Sequence, residues 1–194
     1  TIVQGDAMVL DLPALIEEHF AGMPVVVCAN LPYYITSPII MRLLEGPLPI
    51  RSLTVMVQKE AAVRITAAPG TRECGAISAA VWYYSTPKLL FPVSRGSFLP
   101  APAVDSAVIR LDLPQELPKD LPPREDFFAM VRAGFGQRRK TMLNSLSAGL
   151  RWEKDATRAL LTAAGIAENA RAEQVTLEQW KALTRAYFSM KKSR

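Results

Sequence analysis

Val25-Val26-Val27-Cys28 is an apolar run that Pro32 stops, and after it Ile39, Ile40, Leu43 and Leu44 recur at helical spacing. Consecutive apolar β-formers make a short strand buried on both faces, and proline cannot continue one. Ser37-Pro38 then supplies a helix N-cap and a proline at the first helical position. The segment reads as strand, tight loop and helix. In open α/β sheets ligands sit beyond the carboxyl ends of the strands, which is where Asn30-Leu31-Pro32-Tyr33 falls.

That loop has a narrow chemistry. The side-chain carbonyl of Asn30 and a main-chain carbonyl of Leu31 or Pro32, stiffened by the proline, offer two acceptors for the two hydrogens of one exocyclic amine. Tyr33 offers a flat face for the ring that carries the amine. The same residues also serve simply to shape a βα turn. Asn30-Leu31-Pro32-Tyr33 resembles the NPPY/NLPY motif of S-adenosylmethionine-dependent amino-methyltransferases. With Tyr34-Ile35-Thr36-Ser37 following, it is similar to the ribosomal RNA adenine dimethyltransferases.

A second stretch extends the resemblance. Phe98-Leu99-Pro100-Ala101-Pro102-Ala103-Val104-Asp105-Ser106 is an extended loop stiffened by alternate prolines, running into the strand pattern of residues 107–111. It resembles the FxPxPxVDS motif of the same enzymes, whose phenylalanine lies opposite the motif tyrosine beside the target base. By itself it also fits a proline-rich connection with a core phenylalanine. Gln58-Lys59-Glu60 and Gly75-Ala76-Ile77-Ser78 stand where the family has similar segments, and both read as structural.

Upstream, Thr1-Ile2-Val3 reads as the end of a strand, Gly5-Asp6-Ala7 as a loop, and residues 12–20 as a short helix. An aspartate there is a turn or cap residue by its type. The resemblance gives it another role, accepting a hydrogen bond from the adenine of S-adenosylmethionine, with Asp6, Ala7 and Asn30 as cofactor-binding residues. The family's glycine-rich loop and ribose-binding acid precede this point, and neither occurs in these 194 residues. The resemblance therefore implies an N-terminally truncated chain lacking the first βα units. It also implies an unpaired edge on the strand ending at Cys28, and weak or no cosubstrate binding by the 194 residues alone.

Composition narrows the chemistry further. At 49% apolar and 21% charged the chain reads as a soluble globular protein with one full core and a small second unit. No apolar run approaches the roughly 18 residues of a membrane span, and residues 1–6 do not read as a signal peptide, so a cytoplasmic protein is expected. Cys28 and Cys74 lack metal spacing and His19 is the only histidine, which leaves no material for a zinc site or a histidine-based triad. His19 itself reads as a surface or packing residue. No metal is expected.

Charge is asymmetric. Residues 1–112 carry 8 Lys/Arg against 9 Asp/Glu, and residues 113–194 carry 15 against 9, so the net +5 combines −1 and +6. A basic half suggests a polyanionic partner such as nucleic acid. It follows a linker, residues 113–123, that holds four prolines, and its periodicity is helical: Phe127 to Phe135, Met142 to Leu150, 156–164 closed by Gly165, and a capping box at Thr176-Leu177-Glu178-Gln179. Between the first two helices lies Gln137-Arg138-Arg139-Lys140-Thr141, three adjacent cations suited to phosphates. A nearly identical segment occurs in the resembled family.

The expected architecture is α/β: a Rossmann-like methyltransferase core over residues 1–112, the linker over 113–123, and a small all-α RNA-binding domain over 124–194. It is similar to the small-subunit ribosomal RNA adenine N6,N6-dimethyltransferases of the KsgA/RsmA group. The resemblance implies dimethylation of two adjacent adenosines in a 3′-terminal hairpin of the 16S RNA, S-adenosylmethionine as methyl donor, the pre-30S subunit as partner, and a monomer. Asn30, Leu31, Pro32 and Tyr33 would be catalytic, Tyr33 and Phe98 would stack on the base, and Arg138, Arg139 and Lys140 would hold RNA. Two other readings stand beside it: a large-subunit adenine methyltransferase of the macrolide-resistance type, and a catalytically silent RNA-binding or transcription-factor-like relative.

Overall fold

The computed structural model describes residues 1–137 and 139–192. Its packing divides the chain into two compact units, Thr1–Thr66 with Tyr84–Glu116, and Ala67–Tyr83 with Leu117–Arg194.

The first unit opens with α1 (Leu12–Phe20), followed by β1 (Val25–Asn30), α2 (Thr36–Glu45), β2 (Ile50–Gln58) and α3 (Lys59–Thr66). Strands β3 (Thr86–Val93) and β4 (Ser106–Asp112) complete a four-stranded sheet in the order β1-β2-β4-β3. β1 and β2 are parallel, so the helical crossover α2 joins them, while β4 runs antiparallel to both β2 and β3. The core is built from Leu53, Val55 and Val57 of β2, Ile109 and Leu111 of β4, and Ile40 of α2, all fully buried. The middle strands carry the core because they alone have neighbours on both sides.

Four expectations meet corrections here. Residues 1–3 form no strand, and Ile2 is fully exposed; a strand needs a ladder partner, and these residues have none among the described residues. β1 is not buried on both faces: Val26 is 68% exposed and Cys28 is exposed, alternating with Val25, which is buried. Among the described residues it pairs with β2 alone, and α1 buries none of its residues. The N-cap of α2 is not Ser37, because the chain already turns at Tyr33–Ile35 as a 3₁₀ helix and α2 begins at Thr36. β3, where the apolar run Leu89 to Val93 predicts a strand, starts earlier, at Thr86, its Pro87 and Pro92 tolerated because it lies at the sheet edge.

In the second unit, α4 (Ala76–Tyr84) is joined by α5 (Arg124–Phe135), α6 (Met142–Leu150), α7 (Lys154–Ala163) and α8 (Leu177–Lys192). α5 packs on α6 and α8, and α7 on the same two helices, around Phe127, Met142, Leu146, Leu160, Leu161 and Trp180, none of which is exposed. Gly134 is required where α5 meets α8: a Cβ there would lie 2.5 Å from the Trp180 ring. Tyr83 fastens α4 to the bundle, its ring centroid 4.7 Å from that of Phe127 and its hydroxyl donating to the Pro122 carbonyl at 3.0 Å. Burial raises the pKa of that hydroxyl, keeping it a donor. The capping box opens α8: Thr176 N donates to Gln179 Oε1 at 3.1 Å and Gln179 N donates to Thr176 Oγ1 at 3.2 Å.

Candidate functional site

β1 ends at Asn30, whose side chain is exposed at the carboxyl edge of the sheet. Leu31 is buried, and its N–H donates to the Met56 carbonyl at 3.1 Å, so the loop is still tied to β2 one residue past the strand. Pro32 then turns the chain. Its carbonyl accepts two hydrogen bonds, from Ile35 N at 3.2 Å and from the buried Thr36 hydroxyl at 3.0 Å. A carbonyl has two lone pairs, so Pro32 has no acceptor capacity left. The Leu31 carbonyl accepts no such bond among the described residues. Of the two main-chain acceptors the sequence left open, Leu31 is the one available beside Asn30.

Tyr33 is half-buried and fixed from across the unit. Its hydroxyl lies 2.7 Å from Ser106 Oγ, and Ser106 is fully buried at the start of β4, opposite Gln58 of β2. The two motifs, 73 residues apart, are thus bonded to each other. Phe98 is half-buried and precedes a cis Leu99-Pro100 peptide. Its loop is anchored at the far end by Asp105, whose carboxylate accepts from Arg95 N at 3.0 Å and whose carbonyl accepts from Lys59 N at 3.0 Å. Among the described residues no ring contact joins Tyr33 and Phe98.

Asp6 and Ala7 lie in an exposed loop rather than at a strand end. Asp6 Oδ1 accepts from Met8 N at 2.7 Å, and its carbonyl accepts from Val9 N and Leu10 N at 2.9 and 3.0 Å. Asp6 is a turn residue with one carboxylate oxygen to spare, since Oδ2 has no hydrogen bond among the described residues. The loop is held to α2 by Arg42, whose guanidinium donates to the carbonyls of Ala7 at 2.6 Å and Leu10 at 2.5 Å.

In the second unit, Arg138 lies outside the described residues, and Arg139 and Lys140 are exposed just before α6. Thr141 caps that helix, accepting from Asn144 N at 3.5 Å. Arg158 pairs with Asp155 at 2.6 Å and with Glu168 at 2.8 Å. Neither Arg139 nor Lys140 has a carboxylate partner among the described residues.

The family described as ribosomal RNA adenine dimethylase matches residues 1–188. The chain belongs to that family. A curated relative, the ribosomal RNA small subunit methyltransferase A of Alkaliphilus oremlandii, is 51% identical over 94% of this chain, and its namesake in Clostridioides difficile is 42% identical over 94%. The chain spans 64% and 63% of the length of these two relatives. Among solved structures, a dimethyladenosine transferase from Plasmodium falciparum shares the fold, with a TM-score of 0.74 at 22% identity over 96% of this chain and 72% of that one. The 23S rRNA methyltransferase ErmE aligns with a TM-score of 0.66 at 27% identity over 95% of this chain and 70% of that one.

In this dimethylase-family chain, pattern reading singled out the Asn30 loop and the Phe98 loop but not the bond between them. Ser106 was visible only as the last letter of the second motif, and nothing in its type announces a partner 73 residues away. Arg42 carried no signal at all; it stands in α2 like any surface arginine. The cysteines divide: Cys28 is exposed on β1, while Cys74 is buried, and burial raises its thiol above the usual range. Among the described residues no helix is long and apolar enough to cross a membrane.

Proposed function

We propose that this chain carries the base-binding loop and the RNA-facing helices of an S-adenosylmethionine-dependent enzyme that dimethylates the N6 amines of two adjacent adenosines in a 3′-terminal hairpin of small-subunit rRNA. The observation that carries the reading is the exhausted carbonyl of Pro32. It leaves the Leu31 carbonyl and the Asn30 side chain as the two acceptors for one exocyclic amine.

The cosubstrate supplies an electrophilic methyl group on a sulfonium sulfur. The difficulty lies in the amine, whose lone pair is delocalised into the purine. Accepting both N6 hydrogens at Asn30 and Leu31 fixes the plane of the amine and turns the lone pair out of it, and the same two acceptors stabilise the positive charge that grows on nitrogen as the bond to carbon forms. Tyr33, held by Ser106, and Phe98 stack on the extruded base. Asp6 Oδ2 fits an amine donor such as the adenine of the cosubstrate, with Ala7 and Asn30 beside it in the binding set. The +6 charge of residues 113–194, with Arg138, Arg139 and Lys140, supplies phosphate contacts, and residues 124–194 form the RNA-binding domain. The enzyme works as a cytoplasmic monomer on the pre-30S particle.

The relatives named for the small subunit, 42% and 51% identical, support this target. The likeness to the 23S rRNA methyltransferase ErmE favours the large subunit as the second reading. The deciding experiment offers unmethylated small and large ribosomal subunits to a protein that carries this chain, with labelled S-adenosylmethionine. Label in N6,N6-dimethyladenosine of the small-subunit RNA is expected. Label in the large-subunit RNA would replace the target, and no label in either would favour the silent RNA-binding relative.

A further inference from the structure

Beside the Tyr33–Ser106 pair, within the first unit, lies a cavity of about 350 Å³ that the base-binding residues do not use. Gln58, Lys59, Glu60, Arg95, Val104 and Asp105 line it. Its place follows from the ladder: Gln58 pairs with Ser106, Ser106 holds Tyr33, and Lys59 and Asp105 are the next residues outward on either side. The loop that presents Phe98 at its start therefore walls this cavity at its end.

Two cations and two carboxylates line the cavity. Asp105 spends Oδ1 on the main chain of Arg95 and its carbonyl on Lys59 N. Glu60 stands in the first turn of α3, where the helix dipole favours a carboxylate. Neither acid pairs with a cation, so the ammonium of Lys59 and the guanidinium of Arg95 have no carboxylate partner among the described residues. Arg95 spends one N–H on the Ala103 carbonyl at 3.4 Å, which orients its fork without neutralising it. Two cations that no ion pair among the described residues occupies, Arg95 oriented by the Ala103 carbonyl, stand with an amide beside the Asp105 and Glu60 carboxylates in a volume suited to a small organic group. This set matches a nucleotide, with the phosphate on the cations and the donors of the base on the remaining acceptors.

We propose that this cavity is a subsite for the nucleotide flanking the target adenosine, with its phosphate held between Lys59 and Arg95 and its base edge read by Gln58. The subsite rests on the reading of the Asn30 loop as an adenosine site. It assigns a role in RNA positioning to Lys59, whose segment read as structural from the sequence, and to Arg95, for which the sequence offers no reading. A base drawn into the Tyr33 site is tethered to its neighbour by one phosphodiester, so an adjacent cationic cavity fixes the strand's direction as well as its affinity.

The test measures binding of single-stranded and hairpin RNA to a protein that carries this chain, native and with Lys59→Gln and Arg95→Gln together. Each RNA carries one neutral methylphosphonate, moved phosphate by phosphate along the strand. The native protein should lose about tenfold in affinity when one phosphate next to the target adenosine is neutral. The double variant should lose about tenfold on unmodified RNA, show no further loss at that phosphate, and have a log–log salt slope shallower by roughly one unit per lost contact. Equal, additive losses at every phosphate, or native affinity in the double variant, would overturn the subsite. Because the readout is binding, failure of methyl transfer with this position-specific coupling intact would overturn the proposed reaction and leave the subsite standing.

Discussion

Asp6 and Asn30 are both polar residues at loops that lead into helices, yet they are held by different means. Asn30 is the last residue of a strand in register with β2, Leu31 after it is buried, and Tyr33 is bonded to a fully buried serine from another strand. Asp6 sits in an exposed turn whose hydrogen bonds to α2, among the described residues, come from Arg42. One site is determined by the sheet, the other by one guanidinium. In the proposed reaction the chemical step falls to the former and the cosubstrate contact to the latter, and a small misplacement costs more at the chemical step than in a loose binding contact.

The first way to break the comparison is at its stronger end. In a protein that carries this chain, Asn30→Ala should lower turnover by a factor on the order of 100 to 1,000, as loss of one preorganised acceptor does, with RNA affinity little changed. Single-turnover methylation beside filter binding reads both. Turnover near the native value would remove Asn30 from the chemistry and leave the loop a shaped βα turn.

Ser106→Ala is expected to cost about tenfold in turnover, because it frees the Tyr33 ring without removing it. Tyr33→Phe removes the same hydrogen bond from the other side, so the double variant should be no worse than the poorer single one. Additive losses would mean that the two hydroxyls act separately. Weakest among the functional effects is Arg42→Ala. Releasing the carbonyls of Ala7 and Leu10 should raise the KM for S-adenosylmethionine a few-fold and speed proteolysis within residues 6–23, while kcat stays near native. A fall in kcat equal to that of Ser106→Ala would erase the distinction between the two loops.

How far these sites were legible in the sequence follows from the range of the interactions that make them. Helix α1 and the cap of α8 were readable because their signals lie within four residues of each other: Asp11 accepting from Ala14 N, Thr176 exchanging bonds with Gln179. The Asn30 loop was readable because strand, proline and helix follow one another directly. Exposure of Val26 was not, since an apolar run reports what a strand would like to bury and not what lies against it. The same holds for residues 1–3, where β pattern exists without a ladder partner. Leu31 could not be separated from Pro32 as acceptor until Thr36, four residues on, was seen to turn its hydroxyl back onto Pro32.

β4 carries the comparison to its smallest scale, because its two ends differ as the two loops do. Ser106 begins the strand, hydrogen-bonded to Tyr33; Asp112 ends it on the surface, where Oδ1 accepts from Arg110 Nε at 2.6 Å and Oδ2 from Lys88 Nζ at 3.2 Å. The hydrogen bond from Arg110, helped by Lys88, holds the Asp112 carboxyl below the usual carboxylate range. A depressed carboxylate contributes stability above its unfolded value of about 3.9 and loses it as pH falls through the lower folded value. Both partners are substantially exposed, so the contribution stays at roughly 0.5 kcal/mol. Asp112→Asn should therefore lower Tm by about 1–2 °C at pH 7, with the difference closing as the pH falls through the acid range below 4, and it should leave turnover unchanged. Thermal scans across pH, read beside a methylation assay, decide it: a turnover defect in Asp112→Asn would mean that strain passes along β4 from its surface end to Ser106, and the two ends of the strand would then be one site.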